Sequence, residues 1–113
     1  MAEKENVLTV TYDLLVYIVP LLSKFPRTQK YVLADRIQNL LTDILQTLIT
    51  AYYGRGEAKK ASLQQANLQL EQMRYLIRLA KDLRCLDLRR YELIQSKIND
   101  IGAQVGGWLK SMS

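Results

Sequence analysis

The sequence predicts an all-α domain, an antiparallel up-down-up-down four-helix bundle, on three observations. Long segments repeat apolar residues at helical spacing, about 24 residues or roughly 36 Å of helix each. Only two prolines and five glycines interrupt the 113 residues. The connections are short, which makes successive helices antiparallel neighbours. With 49% apolar residues, the chain has material for one core, so a single domain over 10–113 is expected behind a flexible segment 1–9.

The first element is read from about Val10 to Phe25. It is apolar around nearly its whole circumference, with Leu14, Ile18, Leu21, Leu22 and Phe25 on one side and Tyr12, Val16 and Val19 on the other. A helix of that kind is buried on two sides. Pro20 removes an amide donor within it, so a kink is expected there, or a break leaving two short helices, with the stop near Phe25 before Pro26.

Thr28 is read as the N-cap of the second helix, which repeats Leu33, Ile37, Leu41, Ile44, Leu45, Leu48 and Tyr52 and runs to Tyr53. Gly54-Arg55-Gly56 ends it with a residue able to take positive φ. The third helix begins near Glu57 and runs past Leu83, burying Leu63, Ala66, Leu70, Met73, Ile77 and Ala80. At 100° per residue, Leu68, Tyr75, Leu79 and Leu86 form a second apolar face nearly opposite the first. A helix packed only inside a monomer has no use for two faces. Together with Tyr12, Val16 and Val19, this face is read as an oligomer interface.

Asp87, following the cationic Lys81 and Arg84, is the candidate N-cap that opens the fourth helix. That helix carries Tyr91, Ile94, Ile98, Ile101, Val105, Trp108 and Leu109 inward and Arg89, Glu92, Ser96 and Asp100 outward. Gly102, Gly106 and Gly107 weaken its last turns or let a neighbour approach closely.

The sequence has no histidine, one cysteine and no clustered carboxylates, so no metal, cofactor or catalytic constellation is expected, and no enzyme. The acidic start Met1-Ala2-Glu3-Lys4-Glu5 and the lone Cys85 suit a cytoplasmic protein that neither enters nor crosses a membrane. The formal charge of +5 leans toward polyanionic partners. Arg74, Arg78, Lys81, Arg84, Arg89 and Arg90 place six cations within seventeen residues, against Asp82 and Asp87. Arg74, Arg78 and Lys81 fall at i, i+4 and i+7, one helical ridge able to face an extended anion. A solvated face whose cations pair with Glu71, Asp82 and Asp87 is the other reading. Lys24, Arg27 and Lys30, with Lys59 and Lys60, form a smaller basic set.

Tyr12-Asp13-Leu14-Leu15 with Pro20, Lys30-Tyr31-Val32-Leu33-Ala34-Asp35-Arg36-Ile37, Leu76 to Leu83, and Ile101-Gly102-Ala103-Gln104-Val105-Gly106-Gly107-Trp108-Leu109-Lys110-Ser111 stand in an order and spacing that resembles the accessory variability determinant family of diversity-generating retroelements. The same broad family includes bundle proteins encoded in intervening sequences of bacterial ribosomal RNA. The resemblance implies a homopentameric barrel of four-helix bundles that binds a retroelement reverse transcriptase, structured RNA and RNA/DNA hybrid in support of mutagenic cDNA synthesis. A helical bundle acting only as a protein-binding or structural module is the alternative.

Overall fold

The structure is a computed structural model, and it describes residues 6–112. Helix α1 spans Val7–Leu22. It starts where Asn6 Oδ1 accepts the Leu8 N–H at 2.7 Å, satisfying one of the orphan amides of the first turn. The helix thus begins three residues ahead of the expected Val10, and residues 1–5 of the segment read as flexible lie outside the described residues. Its buried side is Val7, Thr11, Leu14, Ile18 and Leu22. The Thr11 hydroxyl donates to the Val7 carbonyl at 2.8 Å, which satisfies a polar group wholly inside the core.

Pro20 falls in the last turn, and the helix ends at Leu22 instead of running on to Phe25. Ser23 closes it by donating its hydroxyl to the Pro20 carbonyl at 2.7 Å. Phe25 is buried as expected, but from the turn after the helix.

Beyond Pro26 the chain forms one helical turn, Arg27–Gln29, then a π-helical stretch, Lys30–Ala34, then helix α2, Asp35–Tyr53. Pro26 occupies the N-cap position and no side chain caps the turn, so Thr28 is not the cap the sequence led us to expect. The wider π turn points Leu33 and Ala34 inward together and leaves Tyr31 and Val32 exposed. Regular burial of Ile37, Leu41, Ile44, Leu48 and Ala51 follows along α2.

At Gly54 a Cβ would lie 2.9 Å from the Thr50 carbonyl oxygen, and Gly56 takes φ +59°, so both glycines of the turn are needed for different reasons. Helix α3 spans Gly56–Asp82 and helix α4 spans Leu88–Ser111. The inward residues of α3 are the six expected, and α4 contributes Ile94, Ile98, Ile101 and Val105.

Among the described residues there are no strands, and the four helices share one core. Helix α1 packs on α2 and α4, and α3 packs on the same two, so α1 and α3 sit on opposite sides of the core. No described helix is long and apolar enough to cross a membrane.

Candidate nucleic-acid interface

Of the six clustered cations, Arg84, Arg89 and Arg90 stand at the elbow between α3 and α4, Arg78 and Lys81 in the last turns of α3, and Arg74 about two turns before its end. Helix α3 ends in a Schellman arrangement: the Cys85 N–H bonds the Ala80 carbonyl at 2.8 Å and the Arg84 N–H bonds that of Lys81 at 2.9 Å. This geometry puts the residue after the cap in the left-handed region, where glycine is usual. Here it is Arg84, at φ +63°. Among the described residues it is the sole non-glycine with positive φ.

The next helix is capped by Asp87, as the sequence indicated, with Oδ1 accepting the Arg90 N–H at 2.8 Å and Oδ2 engaging the Arg90 guanidinium. The backbone hydrogen bond foremost, then the Arg90 and Arg89 charges, hold the Asp87 carboxyl below its usual range. Burial pushes the neighbouring Cys85 thiol up. Leu86, expected on the exposed second face of α3, is instead buried in the core at 6% exposure. That expectation extended the helical period through residue 86, whereas α3 stops at Asp82 and the left-handed residue turns the chain inward.

The cations divide by what they touch. Arg74 is half-buried and reaches across to α4: Nε donates to Asn99 Oδ1 at 3.1 Å, Nη1 to Glu71 Oε1 at 2.9 Å, and Gln95 Nε2 donates to the Arg74 carbonyl at 3.1 Å. The guanidinium lies against the bare Cα of Gly102, where a Cβ would stand 2.8 Å from Nη2 and the arginine tip would have to shift. Arg74 therefore fastens α3 to α4 and does not stand on an open ridge with Arg78.

Lys81 lies 4.7 Å above the Tyr91 ring and 3.4 Å from Asp82, and Arg78 lies 3.9 Å from the same carboxylate. Exposed pairs of this kind are weak enough to exchange for a phosphate. Arg84 and Arg89 are exposed and have no carboxylate within salt-bridge distance among the described residues. Leu83 and Leu88, which the sequence does not single out as site residues, are exposed in the same elbow.

The apolar residues read as interface lie on two separate faces. Tyr12, Val16 and Val19 are exposed on α1, and Leu68, Tyr75 and Leu79 on α3. Beside Tyr75, a groove of about 810 Å³ between α2 and α3 is lined by Tyr31, Val32, Leu40 and Leu76 among others. The π stretch supplies the first two of these.

A second constellation, which sequence reasoning missed, stands at the α2–α3 turn. Tyr53 meets Tyr52 edge-to-face at 5.1 Å, Tyr52 lies 6.1 Å from the Trp108 ring, and Lys59 Nζ sits 5.2 Å over that same indole. Periodicity places Tyr52 on the apolar stripe of α2 and Trp108 on that of α4. Only the fold brings them together. No group of three or more potential metal-ligating side chains occurs among the described residues.

A family model described as bAvd-like matches residues 6–112. No curated protein matches the chain.

Proposed function

The chain belongs to the bAvd-like family, and from that premise we propose that it is the non-catalytic accessory protein of a diversity-generating retroelement. In this role it binds the reverse transcriptase together with structured RNA or RNA/DNA hybrid and supports mutagenic cDNA synthesis. The observation that carries the nucleic-acid part is Arg84. A left-handed φ costs an arginine about 1–2 kcal/mol that glycine would not incur, and the side chain so held is exposed and free of carboxylates. Strain retained at an exposed cation is what a functional contact would demand. Arg89, Arg78, Lys81 and Arg90 surround it and extend the positive surface across the elbow. The exposed Leu83 and Leu88 give the same elbow apolar area for a protein partner such as the reverse transcriptase.

We also assign the up-down-up-down antiparallel order and a homopentameric ring. The order is supported by the packing of each helix on its sequence neighbours and of α1 on α4. The ring is supported by the two unlike apolar faces on opposite sides of the bundle, because a head-to-tail contact between different surfaces generates a ring where its rotation closes, whereas a two-fold dimer uses one surface twice. In this assignment the α1 stripe of one copy meets the α3 face of the next, beside the groove at the π stretch.

The test measures structured-RNA binding by fluorescence anisotropy across a salt series, alongside native mass by light scattering. Expected are a mass near five chains, steeply salt-dependent binding, and a large loss of affinity in Arg84→Ala/Arg89→Ala. Unchanged binding by the double variant would remove the elbow as the nucleic-acid surface, and a monomer at all salts would remove the ring.

A further inference from the structure

Tyr53 is 77% exposed, yet it is not an isolated surface ring. It ends an aromatic series that runs through Tyr52 to Trp108, each ring braced against the next. Bracing matters because it fixes the orientation of the outermost ring while leaving most of its surface open to solvent. Lys59 is positioned by its own cation–π contact with Trp108 and so holds a charge beside the series. Arg55 and Lys60 add two more cations to the turn, against Glu57.

An exposed, braced ring beside cations supplies the two components that bind single-stranded nucleic acid without sequence preference: bases stack on the ring and phosphates meet the charges. Duplex offers such a site free base faces only at its two ends. An apolar protein segment would leave the excess of Arg55, Lys59 and Lys60 over Glu57 unanswered, whereas a polyanion neutralises it. We infer that the α2–α3 turn is a second nucleic-acid contact, a stacking site for unpaired bases centred on Tyr53, with Lys59 and Arg55 meeting the flanking phosphates.

This inference rests on the nucleic-acid reading above and adds to it a site of different composition. The elbow has charge without an aromatic series and takes the phosphate surface of a structured molecule. The turn takes the unpaired segment, and a template being copied has both kinds of region.

Trp108 is the only tryptophan in the sequence and lies within the constellation, so its fluorescence reports the site directly. The experiment titrates the full chain with an eight-nucleotide oligouridine and, separately, with a blunt duplex of the same length. Saturable quenching by the single strand is expected, with little by the duplex. Tyr53→Ala should weaken the single-strand titration roughly 5- to 150-fold, while Tyr53→Phe, which keeps the ring, should stay within about two-fold. Equal affinities for wild type and Tyr53→Ala, or equal quenching by duplex, would overturn the assignment. Anisotropy with structured RNA on the same preparation separates the failures. If structured RNA binds and Tyr53→Ala leaves the single-strand titration unchanged, the stacking site alone is lost. If wild type binds neither ligand, both readings fall.

Discussion

Replacing Arg84 with glycine should make the protein more stable and a poorer nucleic-acid binder at once. The arginine holds φ +63° in the arrangement that ends α3. Releasing it from the left-handed region recovers about 1–2 kcal/mol. The freer unfolded chain of a glycine takes back about 0.4–1 kcal/mol. The net is a gain of about 0–1.6 kcal/mol, with a mid-range of about 0.8 kcal/mol that corresponds to roughly 2–6 °C in Tm for a chain of this length, measured at fixed protomer concentration. Arg84→Ala is the control, since it removes the same charge but keeps the Cβ and hence the strain, so its Tm should not rise. Both variants should bind structured RNA more weakly, and the slope of log K against log salt should flatten by roughly 0.7–0.9 for each phosphate that is no longer neutralised. A Tm for Arg84→Gly at or below wild type would refute the strain argument. Wild-type affinity and slope in both variants would refute the role given to the side chain.

Three further outcomes are expected. Ile98→Ala, at a fully buried position of α4, should cost about 2–5 kcal/mol in denaturant titration, and a cost below about 1 kcal/mol would mean that the α4 face is not core. Arg74→Ala should lower stability by about 1 kcal/mol by removing the hydrogen bonds to Asn99 and Glu71, whereas Arg78→Ala should mainly weaken RNA binding; the reverse pattern in Tm and anisotropy would contradict the division made between them. The Asp87 carboxyl is held below its ordinary value of 3.8, so its contribution is fully present above that pH and is lost as the pH falls through the lowered value. Asp87→Asn keeps an acceptor for the Arg90 N–H but cannot titrate, so its Tm should depend less on pH below 3.8 than that of wild type, and identical acid limbs would argue against the cap as the cause.

Helical positions are legible in the sequence wherever one period governs a long stretch. The inward residues of α3 and α4 follow directly from 100° spacing, and Asp87 is readable as a cap from its residue type and the cations before it. Errors arise where the period breaks. The π stretch at Lys30–Ala34 has no composition of its own, so Tyr31 and Val32 could not be placed outside by counting. Leu86 is misplaced by periodicity because nothing in the sequence marks Arg84 as left-handed; a glycine there would have signalled the turn. Arg74 looks like its neighbours Arg78 and Lys81 because its distinguishing partners, Asn99 and the space at Gly102, come from a different helix. The Tyr53 series is hidden for the same reason, since Trp108 stands on α4, far along the chain from the two tyrosines it joins.

The placement of the two apolar faces on opposite helices bears on how the assembly fails. In a ring of the proposed kind each copy is a link with a plug on α1 and a socket on α3. A copy damaged at one face still engages through the other, so it is not excluded from assembly but becomes the end of an open arc. Such a link acts as a chain terminator. In a cell that makes both versions, a minority of damaged copies would leave few closed rings, and a lesion at Tyr12 or at Tyr75 would behave as dominant, whereas a lesion that simply unfolds the chain would be recessive.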